Sequence, residues 1–191
     1  EKLDETAVDM IELNISCPNV KQGGASFGTA CASAQEITAA VRKVTRKPLI
    51  VKLTPNVTSI SDIAAAVEEA GADAVSLINT LTGMRINIET RRPVLRNNTG
   101  GMSGPAVFPV AVRMVWEVAQ AVKLPILGMG GVAKGEDAAQ LLLAGASAVA
   151  VGTACFDDPY APIKVRDGLA ALAERQGLNK VSDFTGAVVP W

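Results

Sequence analysis

Short apolar runs alternate with amphipathic stretches along almost the whole chain, and that alternation leaves few folds open. "DMIELNIS" reads as a strand, and "SAQEITAAVRKVT" as a helix with Ser33 as N-cap and Glu36 three residues on, as in a capping box. "PLIVKLTP" is a strand entered and left by proline. "SDIAAAVEEAG" is a helix capped by Ser61 or a neighbouring Ser or Thr and closed by Gly71. Strand "ADAVSLINT", helix "VFPVAVRMVWEVAQAV", strand "LPILGMGG", helix "KGEDAAQLLLAG", strand "ASAVAVGTA" and a last helix near "APIKVRDGLAALAERQG" complete the series. Five strands alternating with five helices predict an α/β fold, a parallel sheet with helical crossovers.

An internal echo sharpens this. "AGADAVSLINT", from Ala70, and "AGASAVAVGTA", from Ala144, align without a gap. Each is a helix-closing glycine, a short turn and a buried strand. Like units recurring around a ring fit a (β/α)8 TIM barrel, and a doubly wound sheet with two similar units is the competing arrangement. A full barrel takes about 250 residues. Residues 1–191 therefore read as one partial barrel domain with about five of the eight βα units. The series starts in what reads as a helix tail, "EKLDETA", so an upstream segment on the order of 100 residues is expected to complete it.

The bulk numbers narrow the function. Net charge is -1 and aromatics are 4%, so there is no footprint for nucleic acid. No apolar run reaches the roughly 18–20 residues that span a bilayer, and the charged "EKLDETAVDM" is not expected to act as a signal peptide. Cys17, Cys31 and Cys155 form no C-x-x-C pair, which points to a reducing cytoplasm. Histidine is absent, which removes Ser-His and Cys-His catalysis and His-containing zinc sites. No metal site is expected, and a general base must be Cys, Asp, Glu, Lys or Tyr.

In a (β/α)8 barrel, function gathers at the C-terminal strand ends. Those ends carry Asn14, Ser16, Cys17, Pro18 and Asn19; Lys52 and Thr54; Ile78, Asn79 and Thr80; Gly128, Gly130 and Gly131; and Gly152 and Thr153. "GMGG" and "VGT" end the last two strands, where backbone N–H groups can bind phosphate, and "GGMSG" before Gly104 offers a third donor loop. Plain tight βα turns are the alternative. Strand parity puts Ile50, Lys52 and Thr54 on one face, and likewise Glu12, Asn14 and Ser16. Glu12 and Lys52 are thereby placed to pair, either as a structural ion pair or as a fixed charge beside a ligand that becomes anionic. Cys17 lacks zinc partners, an activating histidine and a resolving cysteine. A general base remains open to it, as does an inert packing role; a thiol pKa of about 8.5 can be lowered by its site. Asn14, Asn19 and Asn79 offer donors and acceptors that suit a planar heterocycle, or they cap loops.

Taken together, "ELNISCPNV", "VKLTPN", "INTLTG", "GGMSGPA", "GMGGV" and "AVGTA" resemble, in this order, the flavin-dependent dihydroorotate dehydrogenases. "KQGG" after Asn19 and the "NTLTGM" loop look most like the NAD-linked subgroup. The resemblance implies FMN at the strand C-termini and oxidation of (S)-dihydroorotate to orotate in pyrimidine biosynthesis. It implies Cys17 as the base that removes the C5 proton while a hydride leaves C6 for FMN. Asn14 would touch both cofactor and substrate, and Asn79, Thr80 and Asn19 would bind the substrate. Lys52 and Ile78 would contact the isoalloxazine, and Gly104, Gly130, Gly131, Gly152 and Thr153 the ribityl phosphate end. It further implies a homodimer of catalytic chains within a heterotetramer, whose second subunit carries FAD and a 2Fe-2S cluster and passes electrons to NAD. Two other readings stand beside it: the pyrimidine-reducing domain of a dihydropyrimidine dehydrogenase, and an inert barrel fragment that needs a partner chain. Without the upstream part of the family, these residues alone are expected to bind FMN poorly or not at all.

Overall fold

The structure, a computed structural model, describes residues 1–16 and 25–191. In chain order it contains β1 (Ile11–Asn14), α1 (Ala25–Gly28), α2 (Cys31–Arg42), β2 (Leu49–Lys52), α3 (Ile60–Glu69) and β3 (Ala74–Leu77). Four short strands follow, β4 (Leu81–Gly83), β5 (Ile86–Asn87), β6 (Arg92–Pro93) and β7 (Gly100–Met102). The chain then runs through α4 (Phe108–Ala121), β8 (Ile126–Met129), α5 (Gly135–Leu143), β9 (Ala148–Ala150), α6 (Ala154–Asp157) and α7 (Ala161–Arg175).

The main sheet is parallel, in the order β1-β2-β3-β8-β9. That order never reverses, which decides between the two arrangements left open by the sequence. A doubly wound sheet turns back at a switch point. Here every crossover steps to the next strand in the same direction, and right-handed crossovers then put all the helices on one side. This is an arc of a (β/α)8 barrel with five of its units. The buried residues agree. Leu49, Val51, Leu53, Val75 and Leu77 are fully buried in one cluster with Ala34, Val67, Val115, Val118 and Leu141 from the helices. On the other face Glu12, Asn14, Ile50, Lys52, Leu127 and Met129 keep exposure, while the small polar side chains Ser16, Thr54 and Ser76 are sealed.

Local chemistry sets the element ends. The Ser59 hydroxyl accepts the Asp62 N–H at 3.3 Å and caps α3. The two echo segments close their helices identically. The N–H groups of Gly71 and Ala72 donate to the carbonyls of Glu68 and Val67, and those of Gly145 and Ala146 to Leu142 and Leu141. Both are Schellman caps with the glycine at positive φ, 93° and 121°. The expected capping box at Ser33 is not formed. The N-cap of helix α2 is Ala30, three residues earlier, and the Ser33 hydroxyl donates to the carbonyls of Phe27 and Ala30 at 3.0 Å each. Inside the first turn a serine meets carbonyl oxygens rather than free N–H groups, so it cannot cap. Nor is "EKLDETA" a helix tail: its N–H bonds from Asp4 to Glu1 and from Thr6 to Leu3 make turns. Among the described residues, no helix is long and apolar enough to cross a membrane.

The segment between β3 and α4 is more structured than its sequence indicates. β4 pairs with β7 and β5 with β6, both antiparallel, as two separate two-stranded ribbons.

Candidate active site

The strand C-termini enclose a cleft of about 160 Å³. It is lined by Lys52 from β2, by Ile78, Asn79 and Thr80 just past β3, and by Met129, Gly130 and Gly131 at the end of β8. Gly152 and Thr153 close it after β9. Eight residues singled out from sequence thus meet in one place. Gly104 stands directly behind: a Cβ on Gly131 would lie 2.6 Å from the Gly104 carbonyl oxygen. Asn14 is the register partner of Lys52, at the adjacent edge of the sheet. Cys17 and Asn19 lie outside the described residues.

A polar chain runs along one side. The Ser16 N–H and hydroxyl donate to Asn14 Oδ1 at 3.1 and 2.7 Å, and Asn79 Nδ2 donates to Ser16 Oγ at 2.6 Å. Asn79 Oδ1 accepts the Thr80 N–H at 2.8 Å. Ser16 is buried, so this chain fixes two amides from different strands relative to one another. Asn56, which sequence reasoning passed over, braces the next stretch. Its amide donates to Thr54 Oγ1 and to the Thr80 carbonyl, both at 3.0 Å, and its Oδ1 accepts the Thr82 N–H at 2.8 Å.

The charge at the cleft is a lysine held from below. Lys52 Nζ lies 3.6 Å from Glu12 Oε1, the ion pair expected from strand parity, and Ser76 Oγ donates to Glu12 Oε2 at 2.8 Å. Among the described residues Glu12 is its only ionic partner.

The far end is a backbone cradle. Gly130 and Gly131 have φ of 128° and 79°, values that favour glycine. Among the described residues the N–H groups of Gly130, Gly131, Gly152 and Thr153 meet no acceptor. Thr153 Oγ1 donates to Ser103 Oγ at 2.9 Å, joining the last strand to the "GGMSG" loop. Met102, Ser103, Val107 and Met129 also line the cleft and were not singled out beforehand. Ser103 stood inside the quoted loop, and Met129 inside the quoted strand. Met102 stood inside that same loop, and Val107 opened the quoted helix, where nothing in the sequence marked it as facing the strand ends.

Comparison with known proteins decides the family. Residues 1–172 match the family described as "Dihydroorotate dehydrogenase". The chain belongs to the dihydroorotate dehydrogenase family. Among its relatives is the "Dihydroorotate dehydrogenase B (NAD(+)), catalytic subunit" of Alkaliphilus oremlandii, 56% identical over 97% of this chain and 62% of the relative. The protein of the same description from Bacteroides thetaiotaomicron is 56% identical over 95% of this chain and 60% of its own length. The chain therefore spans about three fifths of these dihydroorotate dehydrogenases. A crystal structure of DHODH from Eimeria tenella in complex with ferulenol superposes with a TM-score of 0.78 at 27% identity, covering 94% of this chain and 54% of that one.

Proposed function

We propose that these residues form most of the catalytic site of a flavin-dependent dihydroorotate dehydrogenase of the NAD-linked B type, which oxidises (S)-dihydroorotate to orotate. The observation that carries this reading is the convergence of Lys52, Ile78, Asn79, Thr80, Gly130, Gly131, Gly152 and Thr153 on one cleft, in a chain of that family.

The cleft residues suit FMN. Among the described residues, no atom beyond its chain neighbours lies within 4 Å of where a Cβ on Gly152 would stand, so the backbone is bare there. Four N–H groups without protein acceptors among the described residues make a donor set for a phosphate. Gly104, Gly130, Gly131, Gly152 and Thr153 would hold the phosphate end, and Lys52 and Ile78 the ring system. FMN bound there supplies the acceptor for the hydride that leaves substrate C6.

The chain's own residues do the rest. Asn14, Asn79 and Thr80, with Asn19, present amide and hydroxyl groups to the N–H and C=O edge of the dihydropyrimidine. The buried Ser16 hydroxyl keeps Asn14 and Asn79 in fixed relation, so the ring is oriented before reaction. Cys17, as thiolate, takes the C5 proton. One proton and one hydride leave adjacent carbons, and the C5–C6 bond becomes double. Electrons would pass onward to an FAD and 2Fe-2S subunit and then to NAD, in a heterotetramer built on a homodimer of catalytic chains in the cytoplasm.

A flavin spectrum of the full-length protein tests this reading. Yellow protein that bleaches anaerobically on adding dihydroorotate is the expected result; colourless protein, or no bleaching, refutes it. In that protein Cys17→Ala lowers dihydroorotate oxidation by roughly 10²–10⁴, the usual contribution of a general base. Turnover near wild type would remove Cys17 from that role.

A further inference from the structure

Glu12 has no part in the chemistry just described, yet it is the group that holds Lys52. Three neighbouring strands each give one side chain to the cluster: Glu12 from β1, Lys52 from β2 and Ser76 from β3. Lys52 pairs in register with Asn14 on one side and Ser76 on the other. Glu12 stands two residues before Asn14 on the same face, one layer further from the cleft. Its two oxygens divide the work, Oε2 taking the Ser76 hydroxyl at 2.8 Å and Oε1 facing the ammonium at 3.6 Å. Ser76 is fully buried, so its hydroxyl has the carboxylate as partner where water cannot substitute.

The 3.6 Å separation matters. A charge-assisted hydrogen bond between ammonium and carboxylate is shorter, at about 2.7–2.9 Å. The carboxylate therefore restrains the ammonium and offsets its charge without consuming its donors. Lys52, which lines the cleft, keeps those donors for whatever lies there.

We propose that Glu12, anchored by Ser76, is a positioning residue that steers the Lys52 ammonium toward the cleft, offsets its charge and thereby sets how strongly a bound flavin favours its reduced form. This rests on the flavin reading above. With Glu12 neutralised, the ammonium stands uncompensated in a half-buried site and favours the more negative, reduced cofactor.

The test is the flavin midpoint potential of the full-length, FMN-loaded protein. Glu12→Gln is expected to raise the reduced-to-oxidised ratio at fixed solution potential at least about tenfold, about 30 mV for a two-electron couple. Ser76→Ala, which keeps the charge but frees the carboxylate, shifts the ratio the same way by less, and it serves where Glu12→Gln fails to fold. In a Lys52→Met background the effect of Glu12→Gln falls to less than half. Retained flavin with an unchanged potential in both variants overturns the inference and leaves the flavin reading standing. An undiminished shift without Lys52 overturns the positioning role, because Glu12 then acts on the flavin directly. Full-length protein that carries no flavin overturns both readings together.

Discussion

Two glycines at the cleft separate backbone need from ligand need. At Gly131, φ is 79° and a Cβ would come within 2.6 Å of the Gly104 carbonyl oxygen and 2.9 Å of Phe108 Cβ. Gly131→Ala is expected to cost about 1–3 kcal/mol, from overpacking and an unfavourable φ, visible as a lower melting temperature without any ligand. Among the described residues Gly152 has no such neighbour within 4 Å. Gly152→Ala should leave stability within about 0.5 kcal/mol of the parent, while a methyl group now stands where the cradle meets its ligand. FMN retention measured by fluorescence should fall. Unimpaired FMN binding in Gly152→Ala would take Gly152 out of the cradle. Sequence alone ranked the two glycines as equals, because both end a strand; only the neighbours across the cleft distinguish them.

At the scale of the elements, much was legible because the signals are local. The two "AGA" segments announced their helix ends, and both form the same cap, since a glycine at C′ needs nothing from the rest of the chain. The Glu12–Lys52 pair was legible from parity because a strand alternates faces whatever it packs against. Ser33 misled because one turn of offset changes a hydroxyl from acceptor to donor. The β4/β7 and β5/β6 ribbons were missed because strands of two or three residues have no period to read. Helix pairing was hidden too. A Cβ on Gly135 would fall on the backbone of Gly168 and Leu169, so α5 and α7 touch main chain to main chain. Gly168 differs, since its nearest neighbour would be 3.4 Å away, an ordinary contact. Gly135→Ala should therefore destabilise by more than about 2 kcal/mol. Gly168→Ala should be tolerated, its contact offset by about 1 kcal/mol of helix propensity. Denaturant midpoints of the two variants check this, and equal midpoints would mean the helices have room to move apart.

For the molecule as a whole, the unreversed strand order set the barrel arc apart from a doubly wound sheet, and it also explains the site. Side chains on the inward face of an arc converge on its C-terminal rim, so residues far apart in sequence reach one cleft. The absence of histidine acts at the same scale, through pH. No side chain of this chain has an ordinary pKa near 6.5. Two carboxylates titrate lower than usual in the folded state. Asp4 is held below its ordinary 3.8 chiefly by the Thr45 hydroxyl, aided by backbone N–H groups of Arg46 and Lys47. Asp158 is held below 3.8 chiefly by Lys164, at 2.6 Å, and by the Tyr160 N–H at 2.9 Å. Depressed folded-state values mean that the unfolded chain binds more protons below 3.8, so stability rises with pH through that range. The contribution is fully present above the unfolded value and is lost as pH falls through the folded ones. The melting temperature of this chain should be flat from about pH 5 to about pH 7, where no side chain has its ordinary pKa, and fall below about pH 4, with only a small share from Asp4 and Asp158, whose partners act at the solvent-screened surface. Lys164→Gln should move the Asp158 carboxyl back toward 3.8 in an NMR titration and flatten the acid limb slightly. A marked slope between pH 5 and pH 7 would require a carboxylate or thiol titrating far from its ordinary range, and Cys17 would be the first to measure.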